Sequence, residues 1–143
     1  MSGLDFWIGE WDASWDGGEG SNTVTRELDG RVVVERFEAP PPEPFSGMSV
    51  SVPVGDTDDW RQTWVDSTGS YWTFVGGPQT DGTFILGTPE RVDAEQVFKR
   101  MVFSDITYDS FNWRWEFSGD GVDWQQRWAI RYNRKAAASS TAG

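Results

Sequence analysis

The sequence contains neither cysteine nor histidine in its 143 residues. Without cysteine the chain has no disulfide framework and no thiol chemistry, and without histidine it lacks the commonest general base and the commonest metal ligand. No window approaches the roughly 18 apolar residues of a membrane span, and the first residues carry neither a basic nor an apolar leader. We therefore expect neither export nor membrane insertion, and a cytoplasmic location.

Positive charge is also scarce, because 12 Lys and Arg stand against 23 Asp and Glu, which gives a net charge of −11. A negative field of this size repels phosphate backbones and anionic lipid surfaces. We therefore expect neither nucleic acid nor a membrane as a partner. The sequence leaves the oligomeric state open, a homodimer included.

Aromatic residues are abundant, with ten Trp and nine Phe. Such residues favour strands and fill wide interiors. Runs of β-branched and aromatic residues alternate with Gly-bearing or Pro-bearing turns, at the spacing typical of an up-and-down antiparallel sheet. Asp29-Gly30 is a strong hairpin signal, and Met48, Val50 and Val52 alternate with small residues, which predicts a half-buried fourth strand. The pattern predicts an all-β domain of about ten strands over residues 1–134, after a short N-terminal helical turn.

A flat sheet of ten strands would leave two open edges and an exposed aromatic face, so closure into a barrel is expected. The last strand of a closed barrel with an even number of strands returns beside the first, which predicts that Tyr132 and Arg134 approach Trp11. An Arg over an indole face is favourable by ~0.5–2 kcal/mol. Residues 135–143 have nothing to bury and are predicted to form a flexible tail.

Both ends of the chain resemble the calycin superfamily of lipocalins, fatty-acid-binding proteins and nitrobindin-like barrels. The resemblance lies in Phe6-Trp7-Ile8-Gly9-Glu10-Trp11 and in the closing Ile130-Arg131-Tyr132-Asn133-Arg134. Phrases between residues 4 and 134 are also similar to bacterial lipocalin-like proteins of unknown function related to the DUF1579 group: Leu28-Asp29-Gly30-Arg31, Trp60-Arg61-Gln62-Thr63-Trp64-Val65-Asp66 and Ser118-Gly119-Asp120-Gly121-Val122-Asp123-Trp124. The resemblance implies a barrel with Trp11 at one end and no assigned chemistry. Nitrobindin-like relatives hold haem through a His, which is missing here, so no cofactor is implied.

Side chains alternate across a barrel wall, so the aromatic faces of the fifth, ninth and tenth strands are candidates for the lumen. The residues predicted to contact a ligand are Trp11, Gln62, Trp64, Trp113, Trp115, Gln126, Trp128, Tyr132 and Arg134. A ten-stranded barrel is wider than the size that side chains just fill. The first hypothesis is therefore a Trp-lined pocket that binds a small hydrophobic or aromatic molecule. The alternative, that the indoles themselves fill the lumen, stays open.

The second hypothesis is a small cofactor-independent enzyme of the isomerase, cyclase or hydrolase type. Without His or Cys, only carboxylates, Tyr and Lys can serve as acid or base. Asp66 and Glu116 are the candidates, because a carboxyl enclosed by Trp would have a raised pKa. The alternative for each is a salt-bridged or exposed carboxylate without a catalytic role. The cluster Asp56, Asp58 and Asp59 does not fit a calcium loop, so no metal is predicted.

Carbohydrate binding is a third hypothesis. It would require Trp60, Trp72 or Trp124 to form a planar platform that faces solvent.

Overall fold

A computed structural model describes residues 3–136 and confirms the predicted fold class, a closed antiparallel barrel of ten strands. A single 3-10 turn, Asp5–Trp7, precedes the sheet. The strands are β1 (Gly9–Trp15), β2 (Gly18–Glu27), β3 (Val32–Ala39), β4 (Phe45–Pro53), β5 (Trp60–Asp66), β6 (Tyr71–Pro78), β7 (Phe84–Gly87), β8 (Phe98–Ser104), β9 (Ser110–Ser118) and β10 (Gln125–Arg134).

Each strand pairs with its neighbours in the chain, and β10 closes the barrel against β1. In this closing pair Trp11 lies opposite Arg134 and Ala13 lies opposite Tyr132, as the predicted approach of the two chain ends requires. Closure removes both sheet edges, which is the reason that such a broad, aromatic-rich sheet is stable as one layer.

The turns explain why adjacent strands run antiparallel with short connections. Between β2 and β3, Leu28, Asp29 and Gly30 all have positive φ angles of 51°, 61° and 78°. Gly adopts this conformation without steric cost and Asp tolerates it, so the Asp29-Gly30 signal marks a hairpin as predicted.

The fourth strand forms where the alternation predicts it, but its small residues face the interior. Val50 is 41% exposed, whereas Ser49 and Ser51 are 1% and 0% exposed. Alternation shows which residues share a face, and it does not show which face points inward. The lumen beside β4 is occupied by large side chains from neighbouring strands, so small residues fit there.

The end of the barrel beneath the N-terminal turn is filled with aromatic side chains. Trp7 and Trp11 are 2% and 0% exposed, and the Trp11 Nε1 donates a hydrogen bond to the Trp7 carbonyl oxygen at 2.8 Å. Phe111 packs against the Trp11 ring with 4.9 Å between centroids. We call this closed end, built from Trp7, Trp11 and Phe111, the floor.

Within residues 3–136 the chain forms no helix with the length and hydrophobicity that a membrane crossing requires. Lys135 is the first residue of the predicted tail. Its backbone N–H donates a hydrogen bond to the Glu10 carbonyl oxygen at 2.8 Å, which continues the pairing of β10 with β1. The rest of that predicted tail, residues 137–143, lies outside the described residues.

Candidate functional site

A cavity of about 330 Å³ occupies the barrel above the floor. It reaches solvent at the opposite end, because the exposed Thr68, in the loop between β5 and β6, is part of its wall. We call that end the mouth. The lining is mostly aromatic and comprises Trp7, Phe37, Phe45, Trp64, Trp72, Phe74, Phe103, Trp113, Trp115, Trp128 and Tyr132, with Met101 and Ile130, and with Glu35, Asp66, Thr68, Ser70 and Lys99 as the remaining polar members.

The indoles lie along the wall and contact one another. The rings of Trp113 and Trp115, two residues apart on β9, are stacked with an interplanar angle of 4° and 6.3 Å between centroids. Trp128 on β10 meets Trp113 edge to face at 5.7 Å, and Phe74 on β6 meets Trp115 in the same way at 5.8 Å. These contacts hold the rings in fixed positions and leave space between the two sides of the barrel.

Gly47 on β4 determines where the Trp64 indole lies. A Cβ at position 47 would collide with the six-membered ring of that indole. The absence of a side chain therefore lets Trp64 pack against the backbone of β4. A second contact, between Phe45 and Trp64, stacks the rings at 6.4 Å near the mouth.

Glu35 projects from β3 into the lower half of the lumen and is only 8% exposed. Its Oε1 accepts a hydrogen bond from Ser49 Oγ at 2.7 Å, and its Oε2 accepts one from Asn22 Nδ2 at 2.9 Å. Burial raises the pKa of this carboxyl, and the two hydrogen bonds oppose the rise without cancelling it. The site thus contains a carboxyl group that takes up a proton more readily than one in water.

Tyr132 on β10 places a second titratable group in the same part of the cavity. Burial raises the pKa of its hydroxyl well above the usual value, and the nearby Glu35 carboxyl raises it further. Its ring stacks on Phe111 at 4.7 Å. Tyr132 also lines the cavity, so its phenol group is in reach of a molecule in the lumen.

Lys99 on β8 lines the cavity nearer the mouth and is 6% exposed. Its Nζ forms an ion pair with the Asp93 carboxylate. The same Nζ lies 4.2 Å from the ring centroid of Trp72 and 4.3 Å from that of Phe117. The buried ammonium is thus stabilised by one carboxylate and two aromatic faces.

Asp66 lies at the mouth. Its Oδ2 accepts a hydrogen bond from Trp64 Nε1 at 2.8 Å, and its Oδ1 accepts one from Thr68 Oγ1 at 2.6 Å. Partial burial acts to raise the pKa of this carboxyl, but these hydrogen bonds outweigh it and lower the pKa. The raised pKa that the sequence suggested for Asp66 is therefore wrong, because donors surround the carboxylate.

Glu116 lies on the outer face of β9, away from the cavity. Its two oxygens accept hydrogen bonds from the Nε atoms of Arg100 and Arg114, each at 2.7 Å. Burial acts to raise the pKa of Glu116, and the hydrogen bonds and positive charges of both Arg residues lower it overall. Glu116 is thus the salt-bridged carboxylate of the alternative interpretation, and the raised pKa of a carboxyl enclosed by Trp does not apply to it.

Five of the nine residues predicted to contact a ligand line the cavity: Trp64, Trp113, Trp115, Trp128 and Tyr132. Trp11, Gln62 and Arg134 do not. Trp11 is buried in the floor, Arg134 packs on its ring, and Gln62 is buried beside β4, where its Nε2 donates to Ser51 Oγ at 3.0 Å.

Gln126 lies on the outer face of the barrel, contrary to its expected place in the lumen. The pairing of β10 with β9 shifts between Gln126 and Trp128, so that Gln126 lies opposite Glu116 while Trp128 lies opposite Trp115. A bulge of one residue reverses the side-chain alternation beyond it. Gln126 is accordingly exposed.

Glu35 and Lys99 are the charged lining residues that sequence reasoning missed, and Thr68 and Ser70 at the mouth were missed as well. Lys99 alternates along β8 with the buried Met101 and Phe103. This alternation places Lys99 on the apolar, inward face of the strand and could have identified it as a lumen residue. Glu35 alternates with Val33 and Phe37, but both faces of β3 carry valines and the pattern alone does not distinguish them.

The aromatic platform that a carbohydrate site would need is not formed. Trp60 is 2% exposed and Trp72 lines the cavity, while Trp124 packs on Arg100 with 4.0 Å between guanidinium carbon and ring centroid. Within the described part of the chain, no three carboxylates are grouped so that they could hold a metal ion.

A scan against protein-family models finds no match to this chain, and a search of curated proteins finds none either. The closed barrel is compatible with the calycin resemblance, which stays a prediction from the sequence.

Proposed function

We propose that this protein binds a small hydrophobic or aromatic molecule in the lumen of its barrel. The observation that carries the proposal is the cavity of about 330 Å³, whose wall includes six indoles, Trp7, Trp64, Trp72, Trp113, Trp115 and Trp128. Small-molecule sites are typically enclosed and mostly apolar, of about 300–1,000 Å³, with a few polar groups that orient the ligand.

The packing of the indoles favours an open pocket over a filled lumen. Trp113 and Trp115 stack along the same strand, and Trp64 lies against the β4 backbone at Gly47. Side chains held at the wall leave flat aromatic surfaces facing the cavity, which suit a planar ligand.

The direct test is native mass spectrometry of the protein purified from its own host, together with Trp emission before and after organic extraction. We expect a bound small molecule whose removal shifts the emission, because six indoles line the cavity. Absence of any such molecule, with an unchanged spectrum across a panel of aromatic and apolar compounds, would refute the proposal.

A matched pair of variants tests whether the lumen is the binding site. Met101 lines the cavity on β8, whereas Met48 lies on the outer face of β4. Met101→Trp adds an indole to the cavity and is expected to weaken binding at least about tenfold. Met48→Trp makes the same change outside and should leave affinity unchanged. Equal effects of the two variants would argue against a lumenal site.

An acid–base enzyme is the second candidate, and the placement of Glu35 beside Tyr132 is the observation that favours it. Burial raises the pKa of Glu35, and a carboxyl with a raised pKa is better suited to transfer protons than one in water. Neither earlier candidate is placed in this way, since Asp66 lies at the mouth and Glu116 outside. An enzyme would lose turnover of the bound molecule in Glu35→Gln. A cytoplasmic location stays a prediction.

A further inference from the structure

Glu35 is a buried carboxyl group that has no cationic partner. Among the ion pairs of residues 3–136, none involves Glu35. Each of its oxygens accepts one hydrogen bond, from Ser49 or from Asn22, and each carboxylate oxygen has a further acceptor position. A carboxyl group out of water is stabilised either by a proton or by a positive charge that pairs with it. The cavity can therefore supply one half of an ion pair whose other half comes from a ligand.

An unpaired acceptor also lies beside Glu35. The Asn22 amide nitrogen and the Ser49 hydroxyl donate to the two carboxylate oxygens. The Asn22 Oδ1 and Gln62 Oε1 atoms are buried and have no hydrogen-bond partner within the described residues. The partial negative charge on the Asn22 Oδ1 atom favours a cation near Glu35, because the same side chain donates to that carboxyl. An ammonium group carries three donors and no acceptor, so its chemistry complements this region.

The aromatic wall suits a cation as well. The cavity contains one ammonium group of the chain itself, Lys99 Nζ, which lies 4.2 and 4.3 Å from two ring centroids. Trp113, Trp115 and Trp128 present comparable aromatic surfaces to the lumen. A cation over such faces is attracted to the ring electrons, and the attraction is stronger when the cation is desolvated.

This inference rests on the proposed small-molecule site. We propose that the ligand is a small arylalkylamine, whose ammonium group pairs with Glu35 while its ring lies among Trp113, Trp115 and Trp128. The Tyr132 hydroxyl lies near the same carboxyl and supplies a further polar contact. The net charge of −11 draws cations toward the protein before they enter the mouth.

The other titratable groups of the cavity determine how pH affects this site. Tyr132 faces Glu35 from β10, and the hydrogen-bond partners Asn22 and Ser49 on the flanking strands do not titrate. Toward the mouth lie Lys99, paired with Asp93, and Asp66. Among the described residues, Lys99 is the one cation that lines the cavity, and an anionic ligand paired with it is the competing outcome that the experiment must distinguish.

Three probes separate these outcomes: phenethylamine, propylbenzene and 3-phenylpropionate. They share a phenyl ring with a two-carbon chain, and the chain ends in a cationic, a neutral and an anionic group, respectively. Affinities for the wild-type protein are measured by isothermal titration calorimetry and Trp emission. We expect phenethylamine to bind at least about tenfold more tightly than propylbenzene, and 3-phenylpropionate to bind most weakly. Phenethylamine affinity should rise with pH above the usual carboxyl pKa of 4.5 as Glu35 ionises, with propylbenzene affinity not rising.

Two carboxylate variants on the same strand complete the test. Glu35→Gln keeps the side-chain shape and should abolish the preference for phenethylamine while leaving propylbenzene affinity within about threefold. Glu38→Gln, at an exposed position on the outer face of β3, should retain the preference. The wild-type comparison does not depend on the folding of either variant.

Each result bears on a different claim. Propylbenzene binding with no preference for phenethylamine would overturn the amine assignment and leave the proposed function intact. Tightest binding of 3-phenylpropionate would also overturn the assignment, in favour of an anion at Lys99. If none of the three probes binds or changes the Trp emission, both the assignment and the proposed lumenal site are overturned.

Discussion

The guanidinium of Arg134 lies over the indole of Trp11, with 4.4 Å between the Arg Cζ and the ring centroid. The two residues are also directly opposite each other in the strand pair that closes the barrel. Arg134 Nη1 donates to the Ile8 carbonyl oxygen at 2.8 Å and Nε donates to the Tyr108 carbonyl oxygen at 2.9 Å. One side chain thus joins the N-terminal turn, the loop between β8 and β9, and the last strand.

Arg134→Lys should destabilise the barrel by about 1–3 kcal/mol, because an ammonium cannot reach both carbonyl oxygens while stacked on the ring. The free energy of unfolding from urea titration measures the effect. Arg131→Lys is the control, since Arg131 lies exposed on the same strand. A loss for Arg134→Lys no greater than that for the control would contradict this role.

Gly47→Ala should disturb the cavity more than it disturbs the fold. The new Cβ would collide with the Trp64 indole, which must then move away from the β4 backbone. We expect a changed Trp emission, weaker ligand binding and a stability loss of about 1–3 kcal/mol. Gly119→Ala is a matched control, because a Cβ there meets nothing within 4 Å. Unchanged emission in Gly47→Ala would be inconsistent with the placement of Trp64.

Glu35→Gln should change the pH dependence of stability with a defined sign. The pKa of Glu35 is raised in the folded state. The contribution of this group to folding stability is therefore fully present below pH 4.5, the usual pKa of a Glu carboxyl, and is lost as pH rises through the folded-state pKa. Wild-type stability relative to Glu35→Gln should therefore fall with rising pH and then level off. Urea titrations of both proteins at several pH values measure this difference, and a difference that rises with pH would contradict the burial argument.

Glu116→Gln should show the opposite dependence. The pKa of Glu116 is lowered in the folded state. The contribution of this group to folding stability is therefore present above pH 4.5, the usual pKa of a Glu carboxyl, and is lost as pH falls through the folded-state pKa. Above pH 4.5 we expect the free energy of unfolding of the variant to be about 1–2 kcal/mol lower than that of the wild type, since Arg100 and Arg114 both lose a charged partner. Ligand affinity should not change. Glu90→Gln, at an exposed loop position, controls for removal of one negative charge.

The sequence allowed more of the fold than of the site to be predicted. Strand count and closure follow from local signals, namely alternation, Gly-bearing turns and the instability of an open aromatic sheet. The pairing of Trp11 with Arg134 follows from closure alone. Five lumen residues were correct because large aromatics on β5, β9 and β10 have an unambiguous face.

Only the tertiary structure decided which way the ambiguous strands face. The β10 bulge turned Gln126 outward, and the bulk of Trp64 made Gly47 and the serines of β4 the inner set. Glu35 became a buried carboxyl because neighbouring strands provide its donors, Asn22 and Ser49, which lie 13 and 14 residues away in the chain. The amino-acid pattern thus determined the barrel, through local backbone preferences and closure. The character of its lumen was determined by contacts across strands, since the polar groups that share it are distant in sequence.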